Sequence, residues 1–350
     1  MLALVVAACN PSSPTTAEST VPQAPDATQA PEAVLLSYTL EPGSSYTYEV
    51  SLDQTFDIVT TGDSEAFGEE EIPGEMSVRM LGTSVFTHTV AEGPEPGTYS
   101  VTITGDFSDI EFSGTSDGEP VDPAEIPDLA ELAPVDVTVV VDEQGNVISG
   151  EGGNLEDFMG MGGGLDSLKG LAPGGDLGRF VGPPLSEGEV TVGDSWSETI
   201  EIPSLTGGES SGTTDIVSTV TGTDSLDGAD VFVIETTVAV SEISFDLAEL
   251  LIGMFEAFLP EDASDEDLAE LQLMTEQLRF QFSMAPSVTN ATTWFDVAGG
   301  LARKSDYTGD QSLVMDINVP DDETGDMIAF GLEMNISQTI GYRLVDSASA

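Results

Sequence analysis

The stretch Ser84-Val85-Phe86-Thr87-His88-Thr89-Val90 runs into Glu92-Gly93-Pro94-Glu95-Pro96-Gly97 and resumes as Thr98-Tyr99-Ser100-Val101-Thr102-Ile103. β-Branched residues alternate with polar ones on either side of a Gly/Pro cluster, which is the pattern of a half-buried hairpin. His88 falls among the polar alternates, so a half-exposed strand position is expected for it. The same arrangement returns at Asp215–Thr221 and Val231–Val238, which flank Asp224–Gly228. Two more turns are expected at Asp142–Asn146 and Asp296–Gly300, where Gly and Asn supply positive φ. Long alternating stretches follow at Ser312–Val319 and Met327–Leu344.

Three matches recur in the same chain order. Gly43-Ser44-Ser45-Tyr46 matches Gly193-Asp194-Ser195-Trp196, Ser108–Phe112 matches Ser241–Phe245, and Asp142–Val147 matches Asp296–Leu301. They predict two related β-rich halves, residues 34–150 and 186–345, with a short tail at 346–350. Trp196 and Trp294 sit in strand patterns and are expected to pack in the core.

Helical spacing is confined to fewer places. Asp246 with Glu249 forms an N-terminal capping pattern. Leu247, Leu250, Leu251, Met254, Phe255 and Phe258 then make one apolar stripe that stops at Pro260. Ser264 with Asp267 caps a second helix, faced by Leu268, Leu271, Met274 and Leu278. A short helical piece is expected near Ala124–Leu132. The connector 151–185 is rich in Gly and carries Phe158, Met159 and Met161 at helical spacing. Sheet and helices together predict an α+β fold: mostly antiparallel, curved sheet with a few packed helices.

Charge excludes several functions. The 350 residues hold 64 acidic and 7 basic side chains, a formal net charge of −57. Seven cations cannot build the footprint that displaces counterions from phosphates, so nucleic acid is not a partner. A single Cys and a single His exclude an internal disulfide, a thiolate zinc cluster and a multi-His metal site. The acidic runs Glu69-Glu70-Glu71, Glu261–Asp267 and Asp321-Asp322-Glu323 lack the alternating ligands and central Gly of a calcium loop. No P-loop or dinucleotide fingerprint occurs. Neither catalysis, a metal nor a cofactor is expected.

The N-terminus supplies an address. Leu2–Ala8 is apolar, and Val6-Ala7-Ala8-Cys9 resembles the bacterial lipobox, in which the Cys is acylated and becomes the mature N-terminus. Residues 1–9 are therefore expected to end a lipoprotein signal peptide, whose basic n-region would lie upstream of Met1. Residues 10–33, rich in Pro, Ser, Thr and Ala, read as a disordered tether. The resemblance implies lipidation at Cys9 and an extracytoplasmic body tethered to the bacterial cell membrane.

Beyond the lipobox, the chain resembles a family of uncharacterised bacterial surface lipoproteins. The motifs are the Gly-x-x-Tyr strand at Gly43–Tyr46, the Val-x-Val-Gly-Asp-x-Trp strand at Val190–Trp196 and the Trp-Phe-Asp-x-x-x-Gly-Leu hairpin at Trp294–Leu301. The layout is also similar to the lipoprotein-carrier superfamily, which implies a curved antiparallel sheet that half-encloses helices and holds acyl chains. Two functions stay open. One is binding of a lipid or other apolar ligand, with Phe158, Met159, Leu251, Met254, Phe255 and Phe258 as candidate contacts. The other is a structural or protein-interaction role at the surface, with no small ligand.

Overall fold

The computed structural model describes residues 33–62, 74–105, 109–121, 135–151, 183–202, 212–246, 279–320 and 327–348. The first set of strands is β1 (Val34–Leu35), β2 (Ser45–Gly62), β3 (Glu75–Glu92), β4 (Thr98–Gly105), β5 (Ile110–Ser116), β6 (Glu119–Pro120), β7 (Val135–Asp142) and β8 (Val147–Glu151). The second is β9 (Glu189–Val190), β10 (Ser195–Ile202), β11 (Gly212–Leu226), β12 (Ala229–Val240), β13 (Ile243–Asp246), β14 (Arg279–Met284), β15 (Ser287–Asp296), β16 (Leu301–Pro320) and β17 (Met327–Ala348).

These strands correct the expected α+β class. Among the described residues there is no helix, and the fold is all-β. The period-2 alternation simply runs further than the turn signals implied. The strand that opens at the Gly43–Tyr46 motif extends to Gly62, and the one expected at Ser312–Val319 begins at Leu301. The helices expected within 124–132, 247–258 and 264–278 fall outside the described residues, as does the connector apart from Glu151 and residues 183–185.

Fifteen strands form one antiparallel sheet, in the order β10-β11-β12-β15-β16-β17-β2-β3-β4-β7-β8. Off this path, β5 pairs with β3 and β6, and β14 pairs with β13 and β16. β1 and β9 make a separate two-stranded ladder. The succession β2-β3-β4-β7-β8 repeats as β10-β11-β12-β15-β16, and β17 joins the two by pairing with both β16 and β2. The opening turns also repeat bond for bond. Gly43 N–H donates to the Val90 carbonyl (2.8 Å) and Gly193 N–H to that of Val220 (2.7 Å). Val90 and Val220 N–H return bonds to Ser44 and Asp194, each at 3.0 Å. One expected match departs from this pattern, since β5 lies against β3 whereas β13 pairs with β14.

Residues Ala33–Ala350 form one compact unit. Its main core draws Val220, Phe232 and Phe295 from one end of the sheet path and Val101, Ile103 and Val139 from the other. In a flat sheet β11 and β7 would lie about 38 Å apart at ~4.8 Å per strand, so the sheet must curve to bring them into one cluster. Residues 36–40 lie between the two sides. Tyr38 N–H bonds to the Glu143 carbonyl (2.7 Å) in one hairpin turn, and Thr39 N–H to Gly300 (2.9 Å) in the other. Both turns need glycine. Gly145 (φ 85°) would drive a Cβ to 2.4 Å from the Tyr38 ring, and Gly300 (φ 60°) to 2.5 Å from Thr39. The Tyr38 hydroxyl donates to the Pro183 carbonyl (2.9 Å), Trp196 Nε1 to that of Pro184 (3.0 Å), and the Tyr38 ring stands edge-on to Phe295.

Two sequence expectations at this core are corrected. His88 is buried, because its register places it between Tyr46 and Ile103 on the core side of β3. Trp294 is half-buried beside a strand bulge rather than central, with the Lys304 ammonium 4.3 Å above its ring. Trp196 is partly buried and packs against the core, as its pattern implied.

Candidate functional site

The side of the sheet that holds the core continues past it along the four long strands. In β2, Tyr46, Tyr48 and Val50 are buried, and the same face goes on as Leu52, Gln54, Phe56 and Ile58, all half-buried. Directly paired residues of an antiparallel ladder share a face, so the register defines cross-strand rows. One row is Phe282, Met315 and Leu332, from β14, β16 and β17. The next is Met284, Leu313, Met334, Ile58 and Met76, reaching from β14 to β3. Then come Gln311, Ile336, Phe56 and Val78, and after them Gln338, Gln54, Met80 and Phe112. Apart from buried Met284, the apolar members of these rows are half-buried.

Methionine is what a sequence-level search for core strands undervalues. Met76, Met80, Met315 and Met334 occupy strand positions usually held by Val or Ile. Their unbranched, polarisable side chains conform to flexible apolar partners better than β-branched residues do. The signal in the sequence was the spacing of Met76, Val78 and Met80, and of Leu332, Met334 and Ile336, at intervals of two.

Carboxamides interrupt this apolar face. Gln311 and Gln338 are buried, and Gln54 is half-buried opposite Gln338. Gln311 Nε2 contacts the Met284 thioether, and Gln311 Oε1 is buried without a hydrogen-bond partner. Two pairs of buried hydroxyls satisfy each other across the ladder, Ser218 with Thr236 (2.9 Å) and Thr293 with Ser305 (3.0 Å), whereas Ser84 Oγ and His88 Nε2 are buried without a partner.

Among the described residues, four cations form ion pairs. Arg79 forms two 2.8 Å bonds to Asp53. Arg303 holds Asp296 at 2.6 and 2.8 Å, while the same carboxylate accepts the Gly299 N–H at 2.8 Å. Lys304 pairs with Asp306 and Arg343 with Asp227. Burial alone lowers the His88 pKa to about 4, so its ring is neutral at pH 7. Burial, first of all, also raises the Tyr38, Tyr48 and Tyr342 hydroxyls above their ordinary value. Among the described residues no three His, Cys, Asp or Glu side chains converge as a metal site.

The six residues expected to contact an apolar ligand (Phe158, Met159, Leu251, Met254, Phe255 and Phe258) lie outside the described residues, as does Cys9. The sheet face is the apolar surface that the structure itself displays.

No protein-family model and no curated protein matches this chain. Among solved structures, the outer membrane protein OprG from Pseudomonas aeruginosa aligns over 89% of this chain and 100% of its own, at 6% identity and a TM-score of 0.20. The outer membrane protease OmpT from Escherichia coli aligns over 88% and 99%, at 6% identity and a TM-score of 0.18. Likenesses at this level carry no argument about fold or function. The faces of the long strands are themselves informative. The exposed register of β2 and β17 carries Glu49, Asp57, Glu333, Asn335 and Arg343. A membrane-spanning barrel turns an apolar band outward, and here the apolar residues lie on the opposite face.

Proposed function

We propose that this protein is a lipid-anchored lipoprotein of the bacterial cell envelope whose body binds a lipid or similar apolar ligand without catalysis. The observation that carries the reading is the half-buried Met, Leu, Ile and Phe face that continues beyond the filled core on β16, β17, β2 and β3. At about 25 cal/mol per Å², covering a few hundred Å² of such a face supplies several kcal/mol. Its methionines suit flexible chains. Membrane attachment through acyl chains on Cys9 rests on the lipobox resemblance, and the 24-residue tether at 10–33 would give the body reach.

The test is native mass spectrometry, with organic extraction, on residues 33–350 purified from a bacterial periplasm. A co-purifying lipid near unit stoichiometry is expected, and Met334→Asp should abolish it. A clean apo mass that takes up no added lipid would sink the binding reading and leave a surface-interaction role. For the anchor, Cys9→Ser should release the full-length protein from the membrane fraction.

A further inference from the structure

We infer that residues 33–40 are a detachable strap: a pull on the N-terminal chain strips them from the body while the long-strand sheet stays folded, and so releases the two hairpin turns that they bridge. The source of such a pull, the acyl anchor on Cys9, rests on the envelope reading above. The strap rests on geometry alone.

The strap ties the two repeated strand sets to each other. Its middle residues bond to different hairpins, Tyr38 N–H to the Glu143 carbonyl (2.7 Å) between β7 and β8, and Thr39 N–H to the Gly300 carbonyl (2.9 Å) between β15 and β16. One of these hairpins belongs to each set. Leu36, Tyr38 and Leu40 fill the main core, at 0, 1 and 6% exposure, and the Tyr38 ring meets Phe295 with centroids 5.4 Å apart. A second tie, Leu185 N–H to the Gln144 carbonyl (3.1 Å), comes from residues 183–190. The strap itself holds that segment, through the Tyr38 hydroxyl on Pro183 and through β1 on β9. Removing the strap therefore weakens both ties.

Its hold is short where that of the sheet is long. β1 pairs with β9 through Val34 with Val190 and Leu35 with Glu189 alone. A load that enters ahead of Val34 meets these pairs first and the Tyr38 and Thr39 bonds next. Bonds met one after another fail one after another. Beyond them the load reaches β2, which is paired with β3 along Ser45–Val59 and with β17 along Ser45–Gly62. Gly43 and Ser44 are already tied to Val90 where those ladders begin, so stripping stops there. Segments held by few hydrogen bonds open at lower free energy than central strands.

The experiment pulls the full, unlipidated chain in optical tweezers, between Cys9, its sole cysteine, and the C-terminus. A first, low-force step of up to about 40 Å is expected, the extended length of residues 33–44, with the sheet unfolding only at higher force. Tyr38→Ala should lower the force of the first step and leave that of the second unchanged. Tyr38→Phe, which loses only the bond to Pro183, serves if the alanine variant does not fold. In hydrogen exchange of the same chain at rest, the Tyr38 and Thr39 amides should exchange at least about tenfold faster than the paired amides of β2.

A single step in which strap and sheet break together overturns the inference. So does a first step long enough to include β2, or a first-step force indifferent to both substitutions. Tyr38 and Thr39 amides that exchange only with the sheet overturn it as well. Membrane fractionation of Cys9→Ser tests the anchor separately, so either reading can fail alone.

Discussion

At the scale of single residues, His88 shows how register decides chemistry. The imidazole lies against the Tyr48 ring at 4.7 Å, its Nε2 is buried without a partner, and burial holds its pKa near 4. An unfolded chain would titrate near 6.5. Between those values the unfolded state binds a proton that the folded state refuses, so stability falls as pH drops below 6.5 and levels off below about 4. The full effect is about 3 kcal/mol. Urea denaturation of wild type and His88→Phe across pH 4–7 checks it. The carboxylates contribute to both proteins, so the slope lost in the variant belongs to His88. Equal slopes would show that the imidazole is not buried neutral. The sequence could not assign this burial. Val85 and Phe86 are both apolar, so one strand alone leaves its faces ambiguous. It is pairing with Tyr46 and Ile103 that turns Phe86, His88 and Val90 inward and leaves Val85 exposed.

At the scale of elements, the hairpins were legible and the strand lengths were not. Asp-Gly and Gly-Asn pairs mark turns locally. Asp227 and Gly228 take φ values of 51° and 83° and close a two-residue hairpin between β11 and β12, and Asp117-Gly118 does the same between β5 and β6. Strand extent depends instead on partners far away in the chain, which turn signals do not report. Edges are likewise set by the whole sheet. β10 has one partner strand among the described residues, β11, so its other side is an edge. On the core-side register of β10, Glu198 sits between Trp196 and Ile200, opposite buried Ile216. A charge pointing inward at an edge opposes addition of another strand. Glu198→Val is accordingly expected to raise concentration-dependent association in analytical ultracentrifugation, whereas Glu201→Val, on the outer register, should change association far less. A Glu198→Val protein that associates no more than wild type would mean that something else protects this edge.

At the scale of the molecule, acidity is the dominant long-range term. With −57 formal charges against few cations, the folded state carries self-repulsion that the expanded chain relieves. Raising ionic strength from 0.01 to 1 M shortens the screening length from about 30 to about 3 Å. The thermal midpoint is therefore expected to climb by on the order of 5 °C or more over that range in NaCl. Scanning calorimetry reads this directly, and a flat response would show that neighbouring carboxylates are already neutralised by bound counterions. The charge was readable from composition alone. The junction at the centre of the sheet was not, since no local pattern pairs residues 327–348 with residues 45–62. The candidate face was legible only in part. Its methionine spacing is visible in the chain, but its continuity across β16, β17, β2 and β3 exists only once those strands are joined.

That junction also sets the order of events in biosynthesis. Ser45 of β2 meets Ala348 of β17 across a separation of 303 residues, and β17 is the strand that ties the two repeated strand sets together. While the chain is being synthesised, β2 waits with one side unpaired until the last of the long strands arrives. Loop closure over such a distance is slow and leaves a sticky edge in the meantime. A chaperone that shields unpaired strands would thus matter most for this protein in the interval just before its final segment emerges. A premature stop codon between β16 and β17 would leave two unjoined half-sheets for the quality-control proteases.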